Sequence, residues 1–446
     1  MNVVIVGAGD IGFHLSKRLS SEKHNITLID LDPDKVRHAK EQLDAFVVQG
    51  SGCSYNTLES AQVRNAEVFA ALSNNDEVNI LACFFAKKMG VPNTIARVRN
   101  PEYTQEELLE HKDLGIDFVI HPEQQTASAI AQLVRQSSAT DIVSFEEGKI
   151  QLVGIRLDTN CPVLKIPLKD IGAKYGNPDH RIVALKRRQQ TIVPRGEDML
   201  ISGDQLFIVC SNENLPEALS FFGKTDTKVE NIMIIGGGLV GRFVARQLEK
   251  EIKIKIIESD EKKAEELADL LKHALVINGD GSDLDLLTFE GLDEMDEFIA
   301  VTGDDEANII TSLVAKHLEV PRTITMLRKM EYLPLTPAIG IDSIISKQQI
   351  TVNALQKFIR SRQIASFAEL PGVDAEIVEF IASKKSKIAK KPLMKVKFPK
   401  NAIVGAVMRS NGDVVIPIGS TVIDAGDRVV VVSLMDTIED VEKCFE

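Results

Sequence analysis

The chain has 446 residues, 44% of them hydrophobic, and its 65 acidic residues outnumber 52 Lys and Arg residues for a net charge of −13. This length exceeds what one hydrophobic core usually organises and predicts roughly three to four domains. The acidic balance argues against general nucleic-acid binding, which needs a face that neutralises phosphates. No sequence run approaches the roughly 18 to 20 apolar residues that span a bilayer, so we expect any work at a membrane to be done from the aqueous side.

The cysteines suggest a reducing compartment. They are five in number, widely spaced and without a CxxC pair, so the sequence predicts neither a disulfide framework nor a metal site. We interpret them as buried, reduced thiols of a cytosolic protein. The chain also begins with the strand-like run VVIV, without the order of basic, apolar and cleavage regions typical of a signal peptide.

The first motif is the glycine-rich turn NVVIVGAGDIGFHL at residues 2–15, which follows an apolar strand and opens a helix. In such a turn the first glycine permits a tight bend, the second lets a pyrophosphate approach the backbone, and the third allows close helix packing. Backbone N–H groups at the helix start then receive phosphates, and an acid ending the second strand accepts hydrogen bonds from ribose hydroxyls, which disfavours NADP. The residues concerned are Gly7, Gly9, Asp10, Ile11, Gly12 and Asp30. The alternative is a Rossmann-like fold with an empty site.

Beyond this turn, β-branched runs alternate with helix-period segments, a pattern typical of a parallel sheet with helices on both faces. We expect the doubly wound strand order 3-2-1-4-5-6. The predicted strands are 2–7, 26–30, 45–49, 68–73, 94–98 and 118–121, and the predicted helices include 12–20, 77–89 and 101–112.

Further polar and small residues follow the third, fourth and fifth strands, where the ligand rim of such a sheet lies. Gly50 would form a tight loop near the adenine. Ser73 and Asn74, with Asp76, could contact base or ribose, but the same residue types cap helices, and we favour capping for these three. Arg97 could neutralise a phosphate or stack on a base, with a surface ion pair as the equal alternative.

The chain then repeats itself. NIMIIGGGLVGRFV at 231–244 matches the first turn, ALVINGDG at 274–281 matches AFVVQGSG at 45–52, and VIPIGSTVIDAGDRVVVV at 415–432 matches IVPRGEDMLISGDQLFIV at 192–209. The repeated unit therefore has a large nucleotide-fold lobe and a smaller lobe. The second set of candidate binding residues is Gly236, Gly238, Leu239, Val240, Gly241, Glu258, Gly279 and Thr302.

The two candidate sites differ at their rims. Met326 stands where the first copy has Arg97, while Arg328 matches Arg99. We therefore expect the two sites to have unequal nucleotide preference.

The smaller lobes combine alternating strands, prolines and Gly-Asp turns at 203–204 and 426–427, which predicts compact β-rich modules. The polar stretch 221–231 is the expected linker between the copies. The fold class is thus α/β, with two doubly wound Rossmann-like lobes, each followed by a small β-rich α+β lobe. The expected domains are 1–136, 137–224, 229–362 and 363–446.

No reactive constellation accompanies the nucleotide turns. None of the four tyrosines has a lysine four residues on, and no His and Cys cluster marks a zinc site. His121 could act as a general acid, but it is replaced by Ser346 in the second copy, and a lone histidine is more often packed or capping. We therefore predict no catalytic residue and no metal, and keep a soluble NAD-dependent oxidoreductase as the alternative function.

A lysine-rich stretch, SKKSKIAKKPLMKVKFPK at 383–400, is unusual in an acidic protein. A solvated loop and strand face is the favoured interpretation. The alternative is a docking surface for anionic lipid headgroups or an acidic partner, each lysine contributing about 1 kcal/mol near an anionic surface.

Taken together, the duplicated unit, both glycine turns, the GSG and GDG loops, the segment IDFVIHPE and the Gly-Asp modules resemble the TrkA family, peripheral subunits of bacterial Trk potassium-uptake systems. Each half is similar to an RCK (KTN) nucleotide-binding domain followed by its small C-terminal lobe, and the resemblance covers essentially the whole chain.

This resemblance implies a regulatory protein on the cytoplasmic, inner face of the plasma membrane. It implies binding of NAD or NADH, with ATP or ADP as alternatives, and gating of a TrkH-like potassium-translocating membrane subunit. It further implies assembly through the helices near 123–136 and 347–361 into a homo-oligomeric ring of tandem units. A redox sensor acting on another transporter would differ only in partner.

Overall fold

A computed structural model describes residues 1–100, 103, 111–175, 179–188, 190–329, 332, 340–359, 364–369 and 372–445. The helix expected at 101–112 lies almost entirely outside these residues. By internal contacts the chain divides into two compact units, one of residues 1–125 with 347–359 and the other of residues 126–346 with 360–446.

The first lobe contains a six-stranded parallel sheet in the order β3-β2-β1-β4-β5-β6, which confirms the predicted topology. Its core forms because the strand runs are buried and each helix turns one apolar stripe toward the sheet. The strands are β1 Asn2–Val6, β2 Asn25–Asp30, β3 Phe46–Gln49, β4 Val68–Ala71, β5 Asn93–Arg97 and β6 Phe118–Ile120, and the helices are α1 Asp10–Ser21, α2 Pro33–Gln42, α3 Tyr55–Ser60 and α4 Asp76–Lys88.

The first small lobe follows the helix α5 (Pro122–Arg135) and forms an antiparallel sheet in the order β10-β9-β11-β8-β7. Its elements are β7 Asp141–Phe145, β8 Ile150–Arg156, α6 Leu168–Tyr175, β9 His180–Arg187, β10 Gln190–Ile192, β11 Gln205–Ser211 and α7 Leu215–Phe221. At the predicted Gly-Asp turn, Gly203 has a φ of +87°, a conformation that favours glycine.

The second large lobe repeats the first topology as β14-β13-β12-β15-β16-β17. The repeat in sequence is therefore a repeat in fold. Its strands are β12 Asn231–Ile235, β13 Lys253–Glu258, β14 Ala274–Asn278, β15 Glu297–Ala300, β16 Arg322–Leu327 and β17 Ser343–Ser346, and its helices are α8 Leu239–Leu248, α9 Glu261–Leu270, α10 Leu284–Phe289 and α11 Asp305–His317.

The second small lobe follows α12 (Lys347–Ile359) and forms a sheet in the order β18-β19-β22-β20-β21. Its elements are β18 Ile364–Glu369, β19 Ala375–Ile381, β20 Ala402–Met408, β21 Val414–Val415, β22 Arg428–Leu434 and α13 Ile438–Phe445. The two small lobes share one apolar core that includes Val183 and Val209 from the first and Ala406 and Val430 from the second.

The helices that follow the sixth strands are exchanged between the halves. Helix α12 follows β17 in the chain but belongs to the unit of the first lobe, where Val352, Leu355 and Ile359 join the core and Phe358 stacks on Phe118 with ring centroids 5.0 Å apart. The sequence predicted both helices but not this exchange. The four predicted domain boundaries stay a prediction. The two compact units include the exchanged helices and so are not continuous stretches of the chain.

The last ten residues of α5 belong instead to the unit of the second lobe. There Arg322 at the start of β16 donates to the carbonyl oxygens of Leu133 (2.7 Å) and Ala139 and pairs with Glu297 at 2.6 Å. Because Glu297 is buried, desolvation raises its pKa to about 7, although Arg322 opposes that shift. The contacts that Arg322 makes with the end of α5 thus include a buried carboxyl group, that of Glu297, whose ionisation is costly.

This carboxyl group should make stability depend on pH. An acid whose folded-state pKa is raised costs stability as pH rises from its unfolded pKa, near 4.5, through its folded pKa near 7. We expect the free energy of unfolding of the wild type to fall across this window, relative to that of Glu297→Gln, by on the order of 3 kcal/mol. Urea denaturation at a series of pH values measures the difference, and Glu294→Gln, at an exposed position, is the control; parallel profiles for wild type and Glu297→Gln would contradict the expectation.

Candidate nucleotide sites

The first glycine turn connects β1 to α1 and has the geometry expected of a phosphate cradle. Gly7 adopts a φ of +101°, and a Cβ atom there would lie 2.9 Å from the backbone nitrogen of Ser73. A Cβ atom at Gly12 would collide with the carbonyl oxygen of Gly7, so the helix approaches the turn as closely as backbone permits. At Gly9, by contrast, a Cβ atom would meet nothing within 4 Å. Two glycines are thus required by packing, and Gly9 leaves open space beside the backbone.

Helix α1 starts at this open space without a side-chain cap. Gly9 is its N-cap residue, and Asp10 and Ile11 are its first two residues. The first N–H groups of a helix have no partner within the helix, and together with the helix dipole they favour an anion. Asp10 is exposed and Ile11 is buried. Both would serve a phosphate through their backbone, and the Asp10 carboxylate adds a negative charge that an anionic ligand must tolerate.

Asp30 ends β2 beside the turn and is held by two backbone amides. Its Oδ2 accepts from the N–H of Ala8 at 2.6 Å and its Oδ1 from the N–H of Asp32 at 2.8 Å. Each carboxylate oxygen has more than one lone pair, so the orienting bonds leave acceptor capacity. The side chain is half-buried, which agrees with a role in accepting hydroxyl hydrogen bonds from a ligand.

The second turn, between β12 and α8, reproduces this geometry. Gly236 has a φ of +100°, a Cβ atom at Gly241 would collide with the carbonyl oxygen of Gly236, and a Cβ atom at Gly238 would meet nothing within 4 Å. Gly238 is the N-cap of α8 without a side-chain cap. Leu239 opens α8 where Asp10 opens α1, so this helix start lacks the acidic side chain. Val240, its next residue, is buried.

The second acid sits differently. Glu258 accepts from the N–H groups of Gly237 (2.8 Å) and Asp260 (2.9 Å) but is only 8% exposed. A Cβ atom at Gly237 would lie 3.0 Å from both Cβ and Oε2 of Glu258 and would collide with Leu267. In the first lobe, alanine at position 8 coexists with the shorter Asp30. The exchange of Ala8 for Gly237 therefore makes room for the longer acid.

The glycines after the third strands have a packing reason. A Cβ atom at Gly50 would lie 2.5 Å from the hydroxyl oxygen of Thr57, and one at Gly279 would collide with Leu286. Their neighbours Gly52 and Gly281 lie against Val6 and Ile235 at the ends of the central strands. These loops therefore approach the carboxyl edge of each sheet, and contact with an adenine stays a prediction.

The expectation that Ser73, Asn74 or Asp76 caps α4 is wrong. The N-cap is Asn75, whose side chain accepts from the N–H of Val78 at 2.7 Å. Ser73 instead donates through its hydroxyl to Oδ1 of Asn79 at 2.7 Å. Sequence alone could not choose among four consecutive polar residues with similar capping preference.

A buried asparagine that sequence reasoning missed ties the rim together in each lobe. Asn79 donates to the carbonyl oxygens of Ser73 (3.0 Å) and Arg97 (2.8 Å), and Asn308 donates to those of Thr302 (3.2 Å) and Met326 (3.0 Å). Each bridges the ends of two neighbouring strands directly beneath the candidate site. The signal was present, because both copies place asparagine at the same position of the repeat.

The aspartates Asp76 and Asp305 support the neighbouring loop in the same way in both lobes. Asp76 accepts from the N–H groups of Arg99 and Asn100, each at 2.8 Å, and Asp305 accepts from those of Arg328 and Lys329 at 2.9 and 2.7 Å. Both aspartates are buried. We therefore assign them to the scaffold that holds the loop after the fifth strand.

Arg97, at the end of β5, is not at the surface but 7% exposed. It donates to Oδ1 of Asn74 at 2.9 Å and to Oε1 of Glu123 at 3.1 Å. Glu123 also lies 3.4 Å from the ammonium group of Lys347. The equivalent of Arg97 in the second lobe is the apolar Met326, 5% exposed. The rims of the two candidate sites therefore differ in charge as well as in residue type.

The remaining candidate reactive residues, His121 and the cysteines, are buried or half-buried. Burial lowers the pKa of His121 and so favours its neutral form. Cys83, Cys161, Cys210 and Cys444 are buried and all five thiols are free, while Cys53 is half-buried. Within the described part of the chain, no group of three His, Cys, Asp or Glu residues could hold a metal ion, and no helix is long and apolar enough to cross a bilayer.

Comparison with known proteins agrees with this architecture. The sequence matches the TrkA-N domain over residues 3–122 and 232–347 and the TrkA-C domain over residues 152–223 and 377–445. The chain belongs to the TrkA family.

Two relatives show how far the likeness extends. The Trk system potassium uptake protein TrkA homolog 1 of Methanosarcina mazei is 37% identical over 456 residues, covering 100% of both chains. The Trk system potassium uptake protein TrkA of Azorhizobium caulinodans is 33% identical over 452 residues, covering 100% of this chain and 98% of its own. This TrkA-family chain is thus alignable with these relatives from end to end.

Solved structures share the fold. The RCK domain of GsuK superposes with a TM-score of 0.63 at 20% identity, covering 100% of this chain and 94% of that one. The GsuK channel bound to NAD gives a TM-score of 0.63 at 19% identity, covering 100% and 78%. At these identities the likeness establishes the RCK fold for this TrkA-family chain.

Replacing the open glycines should separate binding from folding. Gly9→Ala and Gly238→Ala add a Cβ atom in open space and at extended backbone, so we expect unchanged melting temperatures or slight stabilisation. The same methyl groups occupy the approach to the backbone amides, so we expect nucleotide affinity to fall about tenfold or more at the altered site. Calorimetric titration with NADH and ADP measures this, with each single variant as the control for the other; unchanged affinity in the double variant would place the ligand elsewhere.

The pairing of Gly237 with Glu258 predicts coupled stability effects. Gly237→Ala should destabilise by about 1–3 kcal/mol, because the new methyl group crowds Glu258 and Leu267. Adding Glu258→Asp should recover part of that loss, as the pair Ala8 and Asp30 does in the first lobe. Denaturant unfolding in a double-mutant cycle tests this, and additive effects within about 0.3 kcal/mol would show that the two positions are independent.

Proposed function

We propose that this chain is a cytoplasmic regulatory subunit of a potassium-uptake system, which binds NAD(H) or adenine nucleotides at both glycine turns and gates a TrkH-like membrane subunit. The observation that carries the proposal is the pair of uncapped helix starts, each with an open glycine and a backbone-anchored acid. An ordinary nucleotide-dependent enzyme needs this arrangement once.

The geometry supports a nucleotide with a free ribose diol. The backbone N–H groups at Gly9 and Gly238 suit a diphosphate, and Asp30 and Glu258 suit two hydroxyl donors. A 2′-phosphate would add charge beside a carboxylate in each site, which disfavours NADP. One structural neighbour, the GsuK channel bound to NAD, is a protein of the same fold with such a ligand.

The rim supports binding without turnover. In the described part of both lobes, the polar groups beside the turns mainly hold the backbone: Asn79 and Asn308 bond to carbonyl oxygens, while Asp76 and Asp305 accept from amides. Such groups position a ligand but do not exchange protons or hydride with it. We infer a regulator, and a soluble NAD-dependent oxidoreductase is the outcome that would replace it.

The relatives support the proposed partner and assembly. Proteins similar over their full length are named Trk system potassium uptake proteins, and this supports a membrane potassium-translocating subunit as partner, at the inner face of the plasma membrane. The shared RCK fold supports a homo-oligomeric ring of tandem units. A nucleotide shifts such an assembly only by its differential affinity for two arrangements, typically about 1–3 kcal/mol per site, and repetition around a ring adds these increments.

Potassium uptake gives the functional test. In cells that lack their own peripheral subunit but retain the membrane subunit, we expect the wild-type chain to restore uptake from low external potassium. The double variant Gly9→Ala, Gly238→Ala should bind the membrane subunit yet lose most of the nucleotide-dependent part of uptake. Rubidium influx and co-purification measure the two properties separately.

The matched control is Lys357→Met, a change at an exposed position of α12, which should behave as wild type. Incubation of the purified chain with NADH and electron acceptors provides the opposing result. Steady oxidation of NADH, or full uptake by the double variant, would reject the regulatory role.

A further inference from the structure

Three charged side chains converge at the rim of the first site. Glu123 lies 3.1 Å from the guanidinium group of Arg97 and 3.4 Å from the ammonium group of Lys347. The side chains of Arg97, Glu123 and Lys347 are 8%, 9% and 21% exposed. The cluster adjoins the glycine turn. Arg97 donates a hydrogen bond to Asn74, and Ser73, which precedes Asn74 in the chain, lies against Gly7.

This cluster is not balanced. One carboxylate faces two cations, so the group carries a net positive charge, while the nearby Arg99 is paired with Asp76 at 3.6 Å. Nε of Arg97, a buried donor, has no hydrogen-bond partner among the described residues, and an anion could accept from it. The unpartnered Oε2 of Glu123 is an acceptor, which needs a donor instead. Buried charge is costly unless it is paired. An anionic group of a ligand would supply the missing counter-charge.

Lys347 reaches this place from the other half of the sequence. It is the first residue of α12, which follows the second lobe in the chain but packs in the unit of the first. The helix is fixed there by its buried residues Val352, Leu355 and Ile359 and by a hydrogen bond from Gln356 to Glu22 at 2.9 Å. The ammonium group is therefore held at the rim by the packing of a whole helix.

No equivalent cluster is encoded for the second site. The residues that match Asn74 and Arg97 there are Gly303 and Met326, and those that match Glu123 and Lys347 in the repeat are Gln348 and Pro122. The second copy thus lacks all three charges of the first rim and the amide of Asn74, although Gln348 keeps a neutral amide at the position of Glu123. Both copies keep the glycine turn, which would hold the diphosphate, and the acid, which would hold the ribose. The difference between the two sites therefore concerns the part of the ligand that extends beyond the diphosphate.

We propose that Lys347, contributed by the exchanged helix, is a specificity-determining residue of the first site, which together with Arg97 selects ligands that carry an additional terminal phosphate. The inference rests on the proposed nucleotide-binding function and extends it. Glu123 occupies the cations while the site is empty, and the terminal phosphate competes with it for them. A nucleoside triphosphate is therefore favoured over the diphosphate at the first site, and the second site does not discriminate through these groups.

The test uses the full chain with Gly238→Ala, so that titration reports the first site, and ATP and ADP as probes. We expect Lys347→Met to weaken ATP binding about tenfold and ADP binding less than about twofold, since one charge contact with the terminal phosphate is removed. Lys347→Arg should keep the ATP to ADP preference. Lys357→Met, exposed on the same helix, should leave both affinities unchanged.

Glu123→Gln provides a change of opposite sign, which a loss of folding would not imitate. Removing the competing carboxylate should strengthen ATP binding several-fold and ADP binding little. Equal losses for ATP and ADP in Lys347→Met, or an unchanged ratio in both variants, would overturn the assignment while leaving nucleotide binding intact. Absence of ATP and ADP binding by the parent chain would instead reject the proposed function and this inference with it.

Discussion

The candidate sites depend on one close backbone contact, between the third glycine of each turn and the carbonyl oxygen of the first. At Gly12 and at Gly241 there is no room even for a methyl group. This contact sets the start of the helix directly over the end of the central strand, so that the uncapped N–H groups, the end of the fourth strand and the acid on the second strand meet at one edge. Everything else in either site is arranged around that edge.

The two copies differ by sets of changes that compensate each other locally. The longer Glu258 is accommodated by the loss of a methyl group at Gly237, whereas Asp30 coexists with Ala8. At the rim, the loss of Arg97 to Met326 accompanies the loss of its acceptor Asn74 to Gly303. A drift without constraint would leave unpaired partners behind. Paired replacement indicates that the local packing and hydrogen bonding of each turn and rim are maintained, each in its own form.

Much of the fold could be predicted from the sequence because its signals are local and occur twice. Strand order, both turns and the β-rich small lobes follow from periodicity, glycine spacing and the repeat. The exchange of α5 and α12 could not be predicted in this way. An amphipathic stripe indicates that a helix packs against a sheet, but it does not indicate which sheet. The position of Lys347 at the first site depends on that exchange. The choice of Asn75 as cap was missed for a different reason, since neighbouring Ser and Asn residues have similar capping energies.

Covalent linkage of the two halves explains how the two candidate sites can keep different residues at their rims. Two identical domains that exchange helices must place the same residues at both sites, so a lysine introduced at one rim appears at the other. In a tandem chain, each first half has its own second half at high effective concentration, and the shared core of the small lobes holds them together. The helix that follows the second lobe can then specialise for the first site alone. In our proposal Lys347 is a residue of this kind, and through it the charge of a ligand at the first turn would act on a helix whose far end is buried in the core of the first lobe.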